Sequence, residues 1–206
     1  MIYKRKKNDL DESTIAIGDI HSNYEALRIV LEKCQNYSEH KLIFLGDYFD
    51  YGHDLAKVID VFMHLKTPSI FLLGNHEYEF FNFYEKYGTD RNSRDKILNH
   101  FGITNQHFQW LKDNLILSYE NKTGFFSHAG LSDDKDIDNQ SVRDLIYSGY
   151  RGNLDHITRK FVTQGHLPMK KLTRIGNHIF TDTGSSLNGF LSCYIFPEDI
   201  VLTSKD

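Results

Sequence analysis

Five short stretches of this chain each place an acidic, amide or imidazole side chain immediately after a small residue: "GDIHSN" (18–23), "GDYFDYG" (46–52), "GNHE" (74–77), "SHAG" (127–130) and "QGH" (164–166). They contribute Asp19 and His21, then Asp47 with Asp50 three positions on, then Asn75 followed by His76 and Glu77, and finally His128 and His166. Imidazole nitrogens together with carboxylate and amide oxygens, with no sulfur among them, suit manganese, iron or zinc rather than calcium or a structural zinc site. Two carboxylates, three histidines and an amide exceed what one open catalytic metal needs. They suit two metals sharing a bridging carboxylate, roughly 3.5–4 Å apart, as in sites that displace phosphoesters. Taken singly, Asp19, Asp47 and Asn75 read as helix caps, and His128 and His166 as satisfied core histidines. Their repeated position after successive strand-like runs favours ligands, because a small preceding residue lets the backbone crowd toward a shared site.

The elements that must position them are legible in the apolar pattern. "STIAIGD" (13–19), "KLIFLGD" (41–47) and "SIFLLGN" (69–75) are short apolar runs stopped by Gly and a polar residue, which predicts buried strands. Between the first two, Leu27, Val30, Leu31 and Cys34 follow the spacing of one helical face, and Leu55, Val58, Ile59 and Phe62 repeat it before the third. Strand, helix, strand, helix, strand implies right-handed crossovers and a largely parallel sheet covered by helices. Ligands bind such a sheet outside the carboxyl ends of its strands. Residues 78–114 turn helical and aromatic-rich, with "YEFFNFYEKYG", "SRDKILNHFG" and "NQHFQWLKDN" as three expected helices forming local core. Strand-like runs return in "GFFSHAG", "KFVTQGH", "HIFTDTG" and "FLSCYIF", which are expected to add a second sheet-forming set.

Composition narrows the function classes. The chain has 206 residues, 40% hydrophobic and 25% charged, enough for one domain over 1–206 with a substantial core and no evident linker or repeat. A formal net charge of −4 argues against strong nucleic-acid binding, and the Lys4–Lys7 cluster reads as a solvated terminus. Two cysteines far apart, Cys34 and Cys193, suggest neither a disulfide framework nor a thiolate zinc site. The N-terminus carries no apolar signal-peptide core, and no run approaches membrane-spanning length, so a cytoplasmic protein without a membrane partner is expected.

The motifs "GDIHSN", "GDYFDYG", "GNHE", "SHAGLS" and "QGHLP", in that order over residues 18–168, resemble the calcineurin-like metallophosphoesterases. They are most similar to the phosphoprotein phosphatase branch, with its bacterial and phage serine/threonine phosphatases and diadenosine tetraphosphatases. "DTGSSLNGFLSC" (182–193) resembles a late strand pair of bacterial members. The resemblance implies an α/β fold, a four-layer α/β/β/α sandwich with two mixed sheets. It also implies that Asp19, His21 and Asp47 hold one metal, while Asp47 as bridge, Asn75, His128 and His166 hold the other. Both would be divalent ions, manganese first, with iron or zinc as alternatives. His76, oriented by Asp50, would protonate the leaving oxygen, and a metal-bound hydroxide would attack. Glu77 would support the loop of its motif.

Substrate contacts implied by the resemblance are Asn75 and an arginine between the fourth and fifth motifs, best matched by Arg151 in "YRG", with Arg143 and Arg159 as poorer matches. The chain departs from the branch at Tyr51, where an arginine is usual, and at Ser22 and Ala129, where glycines are usual. Pro168 stands where phosphodiesterases of the superfamily carry a second His. The function expected from this resemblance is a phosphomonoesterase of the serine/threonine protein phosphatase type. Its rival is a dinucleoside polyphosphate hydrolase, and the non-enzyme alternative is a phospho-ligand binding module on a degenerate scaffold. The partner is then a phosphorylated protein or a nucleotide. A protein substrate predicts an open groove around the metals, and a dinucleotide predicts pockets for bases.

Overall fold

The computed structural model describes residues 3–187 and 189–205. In chain order these form β1 (Arg5–Lys7), β2 (Thr14–Ile17), α1 (Tyr24–Cys34), β3 (Lys41–Phe44), α2 (Leu55–His64) and β4 (Ser69–Leu72). The helical segment follows as α3 (Asn75–Tyr87), α4 (Arg91–His100) and α5 (Asn105–Asn114). Next come β5 (Leu115–Ile116), β6 (Ser118–Glu120), β7 (Gly124–Ser127), α6 (Val142–Tyr147), β8 (Phe161–Gln164), β9 (Thr173–Ile175), β10 (His178–Phe180), β11 (Ser192–Phe196) and β12 (Ile200–Thr203). Among the described residues no helix is long and apolar enough to cross a membrane.

The strands make two six-stranded mixed sheets, β12-β11-β2-β3-β4-β5 and β1-β6-β7-β8-β10-β9. β2, β3, β4 and β5 run parallel, with Ile15 opposite Leu42 and Ile43 opposite Ile70. In the other sheet β7, β8 and β10 are parallel, flanked by the antiparallel neighbours β6 and β9. Alternation along each strand explains why the runs are apolar throughout. Ile15, Ile17, Leu42, Phe44 and Phe71 pack toward the helices, whereas Ala16, Ile43, Leu45, Ile70 and Leu72 join Tyr119, Phe126 and Ile179 of the opposite sheet. Both faces of the sheet are buried, so period-2 polarity never develops. The result is the expected four-layer α/β/β/α sandwich, its inner layer a dry seam between sheets.

Two expectations change. "FLSCYIF" does not join the second sheet; β11 pairs antiparallel with β2, Tyr194 opposite Ala16, and extends the first sheet together with β12. An apolar run carries no record of which sheet edge it will meet. The Lys4–Lys7 cluster is not merely a solvated terminus, because Arg5–Lys7 form β1, parallel to β6 with Lys6 opposite Tyr119. All three side chains of β1 are exposed, so there is no apolar alternation to announce the strand. The aromatic segment does form local core: Phe80, Phe81 and Phe108 are buried, and Phe80 meets Phe101 edge-on at 4.9 Å.

Candidate metal centre

Every residue singled out as a metal ligand or proton donor leaves the carboxyl end of a strand. Asp19 and His21 follow β2, Asp47 and Asp50 follow β3, Asn75 and His76 follow β4, His128 follows β7, and His166 follows β8. The parallel strands of both sheets therefore deliver their polar ends to one place. Neither Asp19 nor Asp47 caps the helix that follows it in the chain: α1 is capped by Asn23, whose side chain accepts from the Ala26 N–H at 3.1 Å, while Asp47 Oδ1 reaches across to accept the His76 N–H in the first turn of α3 at 3.1 Å. The backbone is held in the left-handed region at His21 (φ 48°), Asp47 (φ 51°), Asp50 (φ 65°), Tyr51 (φ 59°) and His166 (φ 61°). Such conformations cost free energy in non-glycine residues and collect where a site is over-determined by its surroundings.

Small residues are required where the backbone passes the carboxylates. A Cβ on Gly165 would lie 1.7 Å from Asp19 Oδ1, and one on Gly74 would lie 2.1 Å from Asp47 Oδ1. The two glycines thus allow the His166 and Asn75 segments to close on the acids.

Asp47 stands at the middle. Its Oδ2 lies 3.3 Å from His128 Nε2, 3.8 Å from His76 Nε2 and 3.9 Å from His21 Nε2. Two groups of potential ligand atoms share it: His21, Asp47 and His76, and Asp47, His128 and His166. His76 thus occupies the place in the first group where Asp19 was expected, while Asp19 sits alongside with Oδ2 accepting the His166 N–H at 2.9 Å. Asn75 Oδ1 is 2.9 Å from His128 Nε2.

The ring nitrogens are pre-oriented. His21 Nδ1 donates to the Phe49 carbonyl at 2.7 Å and His128 Nδ1 to the Leu45 carbonyl at 2.9 Å, which turns each Nε2 inward. At His128 that nitrogen faces the oxygens of Asn75 and Asp47, an arrangement that calls for a proton or a cation between them. Asp19 Oδ1 is buried without a hydrogen-bond partner. A cation satisfies both features, and the donor set is one that divalent transition metals prefer, so the residues fit a metal centre.

Titration behaviour reflects the same crowding. Burial, with the charges of Asp182 and Asp47 behind it, pushes Asp19 well above the ordinary carboxylate range. Asp47 is also penalised by burial, yet the imidazoles of His128, His76 and His21 hold it well below that range. His76 is opposed by burial but raised to about 9 by the hydrogen bond to Asp50 and the charges of Asp47 and Glu77; its Nδ1 is 2.5 Å from Asp50 Oδ2. Burial, His128 and Arg151 lower His166 to about 4.

Glu77 lies fully buried and accepts four backbone N–H groups, from Asp47, Gly74, Tyr48 and Phe49, at 2.7–3.2 Å. It ties the loops after β3 and β4 together. Arg151 is exposed, its Nη1 3.1 Å from Met169 Sδ, and its charge is felt by His166. Arg143 instead lies over the Tyr147 ring at 5.4 Å. Tyr51, more than half exposed, presents its ring edge-on to His21 at 4.8 Å and to His76 at 5.6 Å.

Asp182 is the site residue that sequence reasoning passed over. It is buried, its charge is felt by Asp19 and it feels those of His21, His128 and Asp47, and it fixes its own turn by accepting the Gly184 N–H at 2.9 Å. The following turn also clamps the first motif, since the Asn23 amide donates to the Ser185 carbonyl at 2.8 Å and the Ser186 hydroxyl to the His21 carbonyl at 2.6 Å. The available signal was position: Asp182 ends the strand-like run "HIFTD" as Asp19 and Asp47 end theirs.

Comparison with known proteins agrees with this geometry. The sequence pattern of the calcineurin-like phosphoesterases matches residues 13–194. The chain belongs to that family. A bis(5'-nucleosyl)-tetraphosphatase, symmetrical, of Buchnera aphidicola subsp. Acyrthosiphon pisum (strain 5A) is 32% identical over 130 residues, covering 61% of this chain and 47% of the relative. A bis(5'-nucleosyl)-tetraphosphatase PrpE [asymmetrical] of Oceanobacillus iheyensis is 23% identical over 219 residues and 88% of each chain. The chain thus spans about half the length of the first of these relatives. A solved structure described as a "putative diadenosine tetraphosphatase" superposes with TM-score 0.80 at 18% identity, covering 98% of this chain and 97% of the other. A cold-active protein-tyrosine phosphatase of a Shewanella species superposes with TM-score 0.69 at 14% identity, over 100% and 83%. These two likenesses are of fold.

Proposed function

We propose that this calcineurin-like phosphoesterase is a metal-dependent hydrolase of dinucleoside tetraphosphates. The observation that carries the substrate is the sequence likeness to bis(5'-nucleosyl)-tetraphosphatases, which reaches 32% identity over 130 residues, 61% of the chain. The protein-phosphatase reading expected from the motifs rests on likenesses of fold alone, at 14% identity. The binding-module alternative is disfavoured by the retention of every inferred ligand and of the His76 and Asp50 pair.

In this reading Asp19, His21 and Asp47 hold one divalent ion, and Asp47, Asn75, His128 and His166 the other, with manganese as the first candidate. Two such ions supply Lewis-acid polarisation of the phosphoryl group and of the attacking water when bound. The protein's own contribution is positional. Asp50 fixes the His76 ring so that Nε2 points inward, and its hydrogen bond, with the charges of Asp47 and Glu77, favours the protonated imidazole. It gives its proton to the oxygen leaving phosphorus, and Asp50 stabilises the orientation throughout. Arg151, whose charge is felt by His166, is the guanidinium assigned here to grip a phosphate, with the Asn75 amide as a second contact. Asp182 and Glu77 hold the loops that carry the ligands.

The test is hydrolysis of diadenosine tetraphosphate, a phosphothreonine peptide and an aryl phosphate with added manganese, on the wild type and Asp47→Asn. Preferred turnover of the dinucleotide, lost in the variant, supports the proposal. Preferred turnover of the peptide replaces it with a protein phosphatase, and two bound metals with no turnover of any substrate revive the binding module.

A further inference from the structure

Resting on the substrate reading above, we infer that two cavities flanking the metal centre each receive one nucleoside end of the dinucleotide. The first, about 440 Å³, adjoins the His76 side and is walled by Ser22, Asp50, Tyr51, His53, Asn99 and His100. The second, about 360 Å³, adjoins the His166 side and is walled by Arg143, Tyr147, Ser148, Gly149 and Tyr150 among others. Each shares an aromatic wall with the centre itself. Tyr51 meets the His21 and His76 rings edge-on, and Tyr147 meets the His166 ring at 6.4 Å and 90°.

The chemistry of the two walls is that of base recognition. Tyr51, His53 and His100 in one, and in the other Tyr150 with the Arg143 guanidinium that lies over Tyr147, offer planar groups for stacking. Asn99 and Ser22, and Ser148 and Arg143, offer donors and acceptors beside them for a base edge or a ribose hydroxyl. Both volumes lie at the small end of ligand sites, suited to a single nucleoside rather than a long polymer. A phosphomonoester needs a cavity on one side only. A polyphosphate carrying a nucleoside at each end needs one on both, with the phosphates crossing the metal centre between them. Tyr51 then offers a stacking wall for a base where an arginine would also bring a charge to grip phosphate.

Aliphatic bulk distinguishes this arrangement from coincidence. Asn99 is exposed at the end of α4, and a Cβ added at Gly149 meets no heavy atom within 4 Å, so the backbone accepts Asn99→Leu and Gly149→Leu and their longer side chains compete for the cavities these residues line. His100→Ala, which removes a wall of the first cavity, provides a variant that adds no bulk. Kinetics are measured for diadenosine tetraphosphate and p-nitrophenyl phosphate in all forms, with thermal melting to verify folding. The expected result is a KM for the dinucleotide raised about tenfold or more in each Leu variant, so that kcat/KM for the dinucleotide relative to the aryl phosphate falls equally, with a smaller change in the same direction for His100→Ala. Wild-type KM for the dinucleotide in folded variants overturns the cavities while leaving the proposed activity standing. A wild type that turns over the aryl phosphate but not the dinucleotide overturns the activity itself, and the cavities with it.

Discussion

Replacing Gly165 by alanine tests whether the close passage of the His166 segment over Asp19 sets the metal site. An added Cβ would lie 1.7 Å from Asp19 Oδ1 and 2.8 Å from its Cγ. Ordinary carbon-to-oxygen contact is about 3.3 Å, so the carboxylate or the backbone must retreat by about 1.5 Å. Ligand distances in metal sites hold to about 0.2 Å, so a displacement of that size takes Asp19 out of coordination range. The His166 N–H that donates to Asp19 Oδ2 at 2.9 Å is pulled away in the same movement. Two consequences follow. Overpacking of this kind costs about 1–3 kcal/mol in stability, or a fall of about 2–10 °C in melting temperature for a chain of this length. Misplacement by more than 1 Å lowers turnover by about 100-fold. Metal content after dialysis, aryl phosphate hydrolysis and melting of the metal-free protein measure the three effects separately, and the metal content is expected to fall from two ions toward one. Gly149→Ala is the internal control for stability, because its Cβ enters open space, and its melting should correspond to a change within about 0.5 kcal/mol. A folded Gly165→Ala protein that keeps two metals and turns over within about threefold of wild type refutes the reasoning.

Three further outcomes are expected. His76→Asn should retain both metals and lose about 10²–10⁴-fold in kcat; in the wild type, kcat should fall as pH rises past a value at or below about 9, because the raised pKa keeps His76 protonated below it and bound cations can only lower it, and the variant should lack this alkaline limb. Asn23→Ala removes both the cap on Ala26 and the bond to the Ser185 carbonyl, so chemical denaturation should show a loss of about 1–3 kcal/mol, visible with or without metal. Chelation should lower the melting temperature reversibly, since Asp19, Asp47 and Asp182 are buried together and lose the counter-charge between them; a stability gain of about 2.7 kcal/mol is expected on restoring metal to 100 times its Kd, and identical melting with and without metal would contradict the assigned ligands.

What the sequence alone determined is the local layer of this protein. The apolar runs before Asp19, Asp47 and Asn75 specify buried parallel strands because both faces of such a sheet are covered. The Leu55, Val58, Ile59 and Phe62 spacing specifies a helix with one buried stripe, and the structure buries all four. Residue types at strand ends likewise named the candidate ligands, since oxygen and nitrogen donors repeated in that position have few other uses. Other features depend on contacts between distant segments. That β11 and β12 complete the first sheet, and that Arg5–Lys7 pair with Ser118–Glu120, follow from edges meeting across more than a hundred residues of chain. Asp182 enters the site only because β10 lies beside β8, and His76 approaches Asp47 only because β4, which leads into α3, lies parallel beside β3. The two cavities have no sequence signature at all, being spaces between Tyr51 and α4 and between Tyr147 and its neighbours. Periodicity records which face of an element is buried. The atoms that meet at a site are chosen by packing, where free energies depend on distances of a few ångströms that spacing along the chain does not encode.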